Sequence, residues 1–223
     1  MQLMAKPQRW PFLYTWIVIL GMVFASYALT ALTNPAPASA NLTHWYMARS
    51  AGMTAYLLLS LTAFLGVTTT SGVWDKLKLR KLVTQLHQFS AMLVLPFVFF
   101  HLWGLYEDKT VPFSISSLFV PFADTYRPAA VALGILSLYT WVLLVLTSYF
   151  RERLNATAWR RIHLLAFPMF AAVTLHGLAA GSDSHTAWAK LVYAVPSALI
   201  LAASIARWRK ARSKKTARQP SAA

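Results

Sequence analysis

Four of the six histidines in this chain stand inside two apolar stretches, where an ionisable side chain is costly and by default marks a functional site. His87 and His101 lie in Lys81–Tyr106, and His163 and His176 lie in Trp159–Gly181. Spacings of 14 and 13 residues correspond to roughly 20 Å along a helix. Two helices crossing a ~30 Å bilayer in the same direction then set His87 beside His163 and His101 beside His176. The result is two stacked bis-imidazole sites, one near each face, and haem iron is the natural occupant. Zinc fits poorly, because imidazoles paired at two depths cannot close one tetrahedral site. The phase also needs a correction. Fourteen residues nearly restore one helix face, whereas thirteen do not, and Pro168 is placed to kink or rephase the second helix.

The elements that must carry these histidines are membrane helices. The chain has 223 residues, 57% hydrophobic and only 12% charged, with a mean hydropathy of +0.50, which leaves too little charge to cover a soluble domain. Six apolar segments, near 12–32, 48–68, 84–106, 128–149, 161–180 and 187–206, each have about the length of a span. The expected fold is an all-α membrane protein, a six-transmembrane-helix bundle over 12–206. A cytoplasmic N-terminal tail (1–11) and a basic cytoplasmic C-terminal tail (207–223) flank it.

Charge sets the orientation. Of the 21 Lys and Arg residues, all but Arg49, Lys109, Arg127 and Lys190 fall on one side of this topology. The positive-inside rule then makes both termini cytoplasmic and the protein a multi-pass protein of the cell (inner) membrane. The formal net charge of +15 reads as this topology signal plus contact with anionic membrane lipid, not as a nucleic-acid surface. Zero cysteines exclude disulfides, Cys-ligated iron–sulfur clusters and covalent c-type haem.

Between the spans, Lys6, Arg9, an apolar run and Ala36–Ala40 imitate a cleaved signal peptide. The run is longer than a usual signal core, and its removal leaves an odd number of spans, so it reads as a retained helix. His44 and His185 read as loop residues without ligand roles. The connection Glu107–Pro128, with two Pro-Phe pairs, reads as an interfacial segment over the outer face, a cap on a buried site or a surface anchor. Gly52 reads as a close helix contact, and Pro128 as the first turn of a helix. No Asp or Glu lies inside a span, which argues against proton pumps and ion-coupled transporters. No carboxylate is placed to orient a histidine for hydrolysis, and no catalytic residue is assigned. Haem propionates need cations: Arg160 and Arg161, with Arg80 and Lys81, flank the inner pair, and Arg49 and Arg127 are the outer candidates.

These residues carry a resemblance. His87/His101, Arg49-x-x-Gly52, Arg127-Pro128, Trp159-Arg160-Arg161-x-His163 and His176-Gly177 resemble the ferric reductase-like transmembrane domain shared by NADPH oxidases and ferric reductases. In size the chain is similar to the stand-alone bacterial branch that includes the haem-binding subunit of the periplasmic methionine sulfoxide reductase. The resemblance implies two non-covalent b-type haems, with His87 and His163 on the inner one and His101 and His176 on the outer one. It implies electron transfer from a cytoplasmic flavoprotein reductase or quinol to an outer-face acceptor, either ferric iron or a periplasmic or extracellular reductase partner. No G-x-G-x-x-G pattern is present, so hydride from a nicotinamide must be taken by another protein. The four-histidine set departs from the sulfoxide reductase subunit. The alternative function is a haem-binding sensor or an assembly subunit of a larger membrane complex.

Overall fold

The computed structural model describes residues 42–216, with isolated positions 17, 21 and 24. The expected first span, 12–32, otherwise lies outside the described residues. Within them the chain is all-helical. Its helices are α1 (Thr43–Thr69), α2 (Val73–Lys76), α3 (Arg80–Glu107), α4 (Ile115–Phe119), α5 (Pro128–Tyr149), α6 (Ala156–His163), α7 (Ala166–Ala180) and α8 (Ala187–Thr216). Five helical stretches are long and apolar enough to cross a membrane, with α6 and α7 together forming one of them. The protein is a multi-pass membrane protein.

Helices prevail because a chain in lipid must satisfy every backbone polar group internally. The hydroxyls follow the same rule. Thr54, Ser60, Thr62, Ser137, Thr140, Thr174 and Ser204 each donate to the carbonyl four residues earlier, so they enter the spans without an unpaired donor. Leu57, Leu61, Leu95, Phe99, Trp103, Leu136, Leu199 and Leu201 project outward and are exposed. That surface would be untenable in water and is ordinary against acyl chains.

α1 is the central element and packs on α3, α7 and α8, while α5 packs on α6 and α7. The α1–α3 contact is close because its residues are small: Ala48, Ala51 and Ala55 are all buried. At Gly104 the two backbones nearly touch, and a Cβ there would lie 2.7 Å from the Ala48 nitrogen and 2.8 Å from the His44 carbonyl. Small residues play this role wherever membrane helices associate by packing. Gly104→Ala is therefore expected to push α1 and α3 apart and to cost about 1–3 kcal/mol of stability. Thermal unfolding in detergent measures it, and an unchanged midpoint would show that the contact is dispensable.

The span carrying His163 and His176 is not one helix. α6 ends on His163, Leu165 N donates to Ile162 O at 2.9 Å and Phe167 N to Leu164 O at 3.2 Å, and α7 begins at Ala166. These tight i→i−3 bonds have a cause in Pro168, which has no N–H to give to Leu164. The break rephases the chain, and both histidines of this span turn toward α3. By contrast, Pro96 is carried inside α3 without a break in helical assignment.

The connection 108–127 contributes to the lining of an interior cavity and also presents exposed apolar side chains. Asp108, buried, accepts from Thr110 N and Oγ1 and from Val111 N, and further along the segment meets α5. There the Tyr139 hydroxyl, three turns into that helix, donates to the Phe119 carbonyl. Val111, Phe113 and Leu118 face the interior cavity, and Ile115, Val120 and Phe122 are exposed. Pro128 occupies the first turn of α5, as expected.

Candidate cofactor-binding site

The four intramembrane histidines meet in two pairs. The His87 and His163 ring centroids are 6.3 Å apart with planes at 66°, and those of His101 and His176 are 6.4 Å apart at 81°. Neither pair is hydrogen-bonded within itself. Two imidazoles that share one metal through bonds of about 2.0 Å each have ring centroids roughly 6 Å apart. Among the described residues no three His, Cys, Asp or Glu side chains converge, so each pair can supply two axial ligands and no closed cage.

Three of the four rings are held in the same way. His87 Nδ1 donates to the Thr62 carbonyl (2.8 Å), His101 Nδ1 to the Ala48 carbonyl (2.7 Å) and His176 Nδ1 to the Ala130 carbonyl (2.8 Å). A carbonyl only accepts, so Nδ1 carries the proton and Nε2 keeps its lone pair. That is the ligand tautomer, fixed by an outer hydrogen bond as metal-binding histidines require. Four residues after each of these carbonyls stands a glycine: Gly66, Gly52 and Gly134. A Cβ on Gly66 would come within 3.0 Å of the His87 ring, on Gly52 within 2.9 Å of His101 and on Gly134 within 2.7 Å of His176. The glycine whose own N–H bonds that carbonyl in the helix thus opens the space that lets an imidazole reach it.

His163 is the exception. Its Nδ1 is buried and meets no partner among the described residues, and none of the glycines has His163 among its nearest atoms. Its ring stacks on Trp159, one turn earlier, with centroids 5.0 Å apart and planes at 25°. The Trp159 indole in turn lies against the Arg151 guanidinium (5.6 Å), and its N–H reaches Ser148 Oγ (3.4 Å).

The outer pair borders an apolar cavity enclosed by α1, α3, α5, α7, the start of α8 and the 108–127 connection. Arg49 and Asp183 form an ion pair at its rim. Arg49 Nε, Trp141 Nε1 and Ser182 Oγ border the cavity, are buried and have no partner among the described residues. Such orphans are rare in a native interior unless a ligand completes them. Tyr56, Val94 and Met169 line the inner part of this cavity and, with Phe97 and Phe170, belong to the buried core between the histidine levels. Tyr56 stacks on Phe170 at 5.8 Å, and its hydroxyl lies 3.3 Å from Thr174 Oγ1.

The other expected residues are placed as follows. Arg127 lies outside the cavity lining, exposed, with its guanidinium on the Ala179 carbonyl (2.6 Å). Arg160 Nε donates to the Ala156 carbonyl (3.1 Å), Arg161 is exposed on the same short helix, and Arg80 pairs with Asp75. His185 is exposed in a turn, whereas His44 is half-buried in the first turn of α1 instead of a loop; neither lines the cavity. The sequence reading missed Gly66, Gly134 and Asp183, and it took Gly52 for a helix contact. The signal was available only in pairs, since a glycine acquires this role from the histidine of another helix.

A family model for the ferric reductase like transmembrane component matches residues 51–174, more than half of the chain. The chain belongs to the ferric reductase-like transmembrane family. The matched stretch contains His87, His101 and His163 with Gly52, Gly66 and Gly134, and it stops just short of His176. Ferric reductase-like domains generally bind haem, and the donor set here fits that group. Paired neutral imidazoles stand at the right separation, Nε2 is free on three of them, and orphaned polar atoms wait at the rim of an apolar cavity. No curated protein and no solved structure matches the chain.

The rim pair carries its own prediction. Arg49→Ala leaves the partly buried Asp183 carboxylate without its cation, which is expected to cost about 1–3 kcal/mol. Adding Asp183→Asn should restore most of it, and thermal unfolding of the single and double variants in detergent measures the coupling. Equal midpoints for Arg49→Ala and the wild type would remove the pair from the account.

Proposed function

We propose that the protein carries electrons across the cell membrane through two b-type haems, the inner one held by His87 and His163 and the outer one by His101 and His176. The observation that carries this reading is the fixed Nδ1–H of His87, His101 and His176 on helix carbonyls, which aims Nε2 into each paired site. Haem supplies a one-electron couple whose potential its axial ligands and surroundings adjust.

The chain's own residues do the rest. Fourteen residues of α3 hold the two ligand levels about 21 Å apart along the helix. Tyr56, Phe97, Met169 and Phe170 lie between the two ligand levels and make that gap predominantly apolar. Arg49 Nε and Ser182 Oγ supply donors for a propionate at the outer rim, and Arg160 and Arg161 are the cations nearest the inner pair in sequence. Arg127 contributes less, being turned to a backbone carbonyl.

The basic end of the bundle faces the cytoplasm, and with it both termini. A flavoprotein reductase or quinol delivers electrons there, and a basic rim suits an acidic protein donor because opposite charge raises the rate of encounter. At the other end the acceptor is ferric iron or a periplasmic reductase partner. The test is reconstitution into vesicles with reductant on the basic side and a ferric chelate on the other. Iron reduction across a sealed bilayer, absent from protein-free vesicles, is the expected result. Two fully reducible haems with no transfer to the far side would favour a sensor or assembly role instead.

A further inference from the structure

The two sites are not equivalent, and the difference lies in one ligand. His87, His101 and His176 are each fixed twice, by a carbonyl that orients Nδ1–H and by a glycine that admits the ring. His163 has neither. It is the last residue of α6, next to the break at Leu164–Leu165, so its backbone lacks the continuous helix that carries the others. Its imidazole rests on the Trp159 face, a contact that opposes rotation about the Cβ–Cγ bond but anchors neither ring nitrogen by a hydrogen bond. An outer hydrogen bond also raises the basicity of a ligating imidazole, and His163 makes none among the described residues.

We infer that His163 is the exchangeable ligand of the pair-wise arrangement. The inner site can therefore take a small neutral π-acceptor such as carbon monoxide on the His163 side, and the outer site cannot. The step is a simple exchange on ferrous iron: the bond to His163 Nε2 breaks, a bond to the incoming carbon forms, and no electron or proton is transferred. Trp159 is the positioning residue that limits it. This inference rests on the two-haem reading above.

The experiment uses the full-length protein in detergent, reduced with dithionite and exposed to carbon monoxide, with haem and the CO-difference spectrum quantified together. Half of the haem is expected to react. Trp159→Ala should bind carbon monoxide faster than the wild type, because the stack that holds the His163 ring is gone. The double variant His87→Ala/His163→Ala should keep one haem that does not react. Reaction of all the haem, reaction of none, or a Trp159→Ala rate equal to the wild type would each overturn the inference. Those results leave the two-haem reading intact, whereas purified protein without haem would sink that reading itself. The wild-type fraction and the Trp159→Ala rate need no ligand variant, so a double variant that fails to fold still leaves two decisive results.

Discussion

His101→Ala and His176→Ala are expected to leave one haem per chain and to abolish electron delivery to the outer face. Each removes one of the two imidazoles of the outer pair, and no third His, Cys, Asp or Glu converges on that pair among the described residues. Reduction of the inner haem should persist, because His87 and His163 stand three to four turns away along their helices and share no partner with the outer pair. The effect on transmembrane reduction is complete loss, read in sealed vesicles with the acceptor outside. A variant that keeps two haems, or one that still reduces the outer acceptor, would show that the wiring runs elsewhere.

The glycines should be nearly as demanding. In Gly134→Ala the new Cβ would sit 2.7 Å from His176 Nδ1 and Cε1, closer than non-bonded atoms tolerate. The backbone of α5 cannot retreat without losing its packing on α7, so the imidazole must move and its hydrogen bond to Ala130 must break. Gly52→Ala meets His101 in the same way, with the Ala48 bond at risk. Losing an outer hydrogen bond of this kind lowers metal affinity by about 10–100-fold. Outer-haem occupancy is therefore expected to fall in both variants, and inner occupancy to fall in Gly66→Ala. Occupancy measured against protein, in preparations with a wild-type helical signal, checks this. Full occupancy in all three variants would show that the glycines serve helix packing alone.

Much of this arrangement was legible from hydrophobicity and spacing. Four of the five spans among the described residues begin and end within five residues of the apolar segments, because in lipid the apolar run and the helix are the same physical requirement, while the last helix runs on through basic residues to Thr216. The pairing of His87 with His163 and His101 with His176 followed from depth alone. Pro168 located the break that depth could not predict in detail, since a missing N–H has a defined address. What escaped the sequence was relational. Ala48, Thr62 and Ala130 matter through their carbonyls, which any residue would supply. Asp183 is ordinary until Arg49 is found beside it. The bond from the Tyr139 hydroxyl to the Phe119 carbonyl, which ties the 108–127 segment to α5, is likewise invisible to composition.

Underlying all of these expectations is the claim that each histidine pair holds one haem. A reduced-minus-oxidised visible spectrum of the purified full-length protein, with haem quantified per chain after expression with ample haem, tests it most directly. The account predicts two b-type haems per polypeptide with the spectrum of low-spin, bis-imidazole iron. A single haem would contradict the two-site arrangement, and none would contradict the reading of all four histidines as ligands.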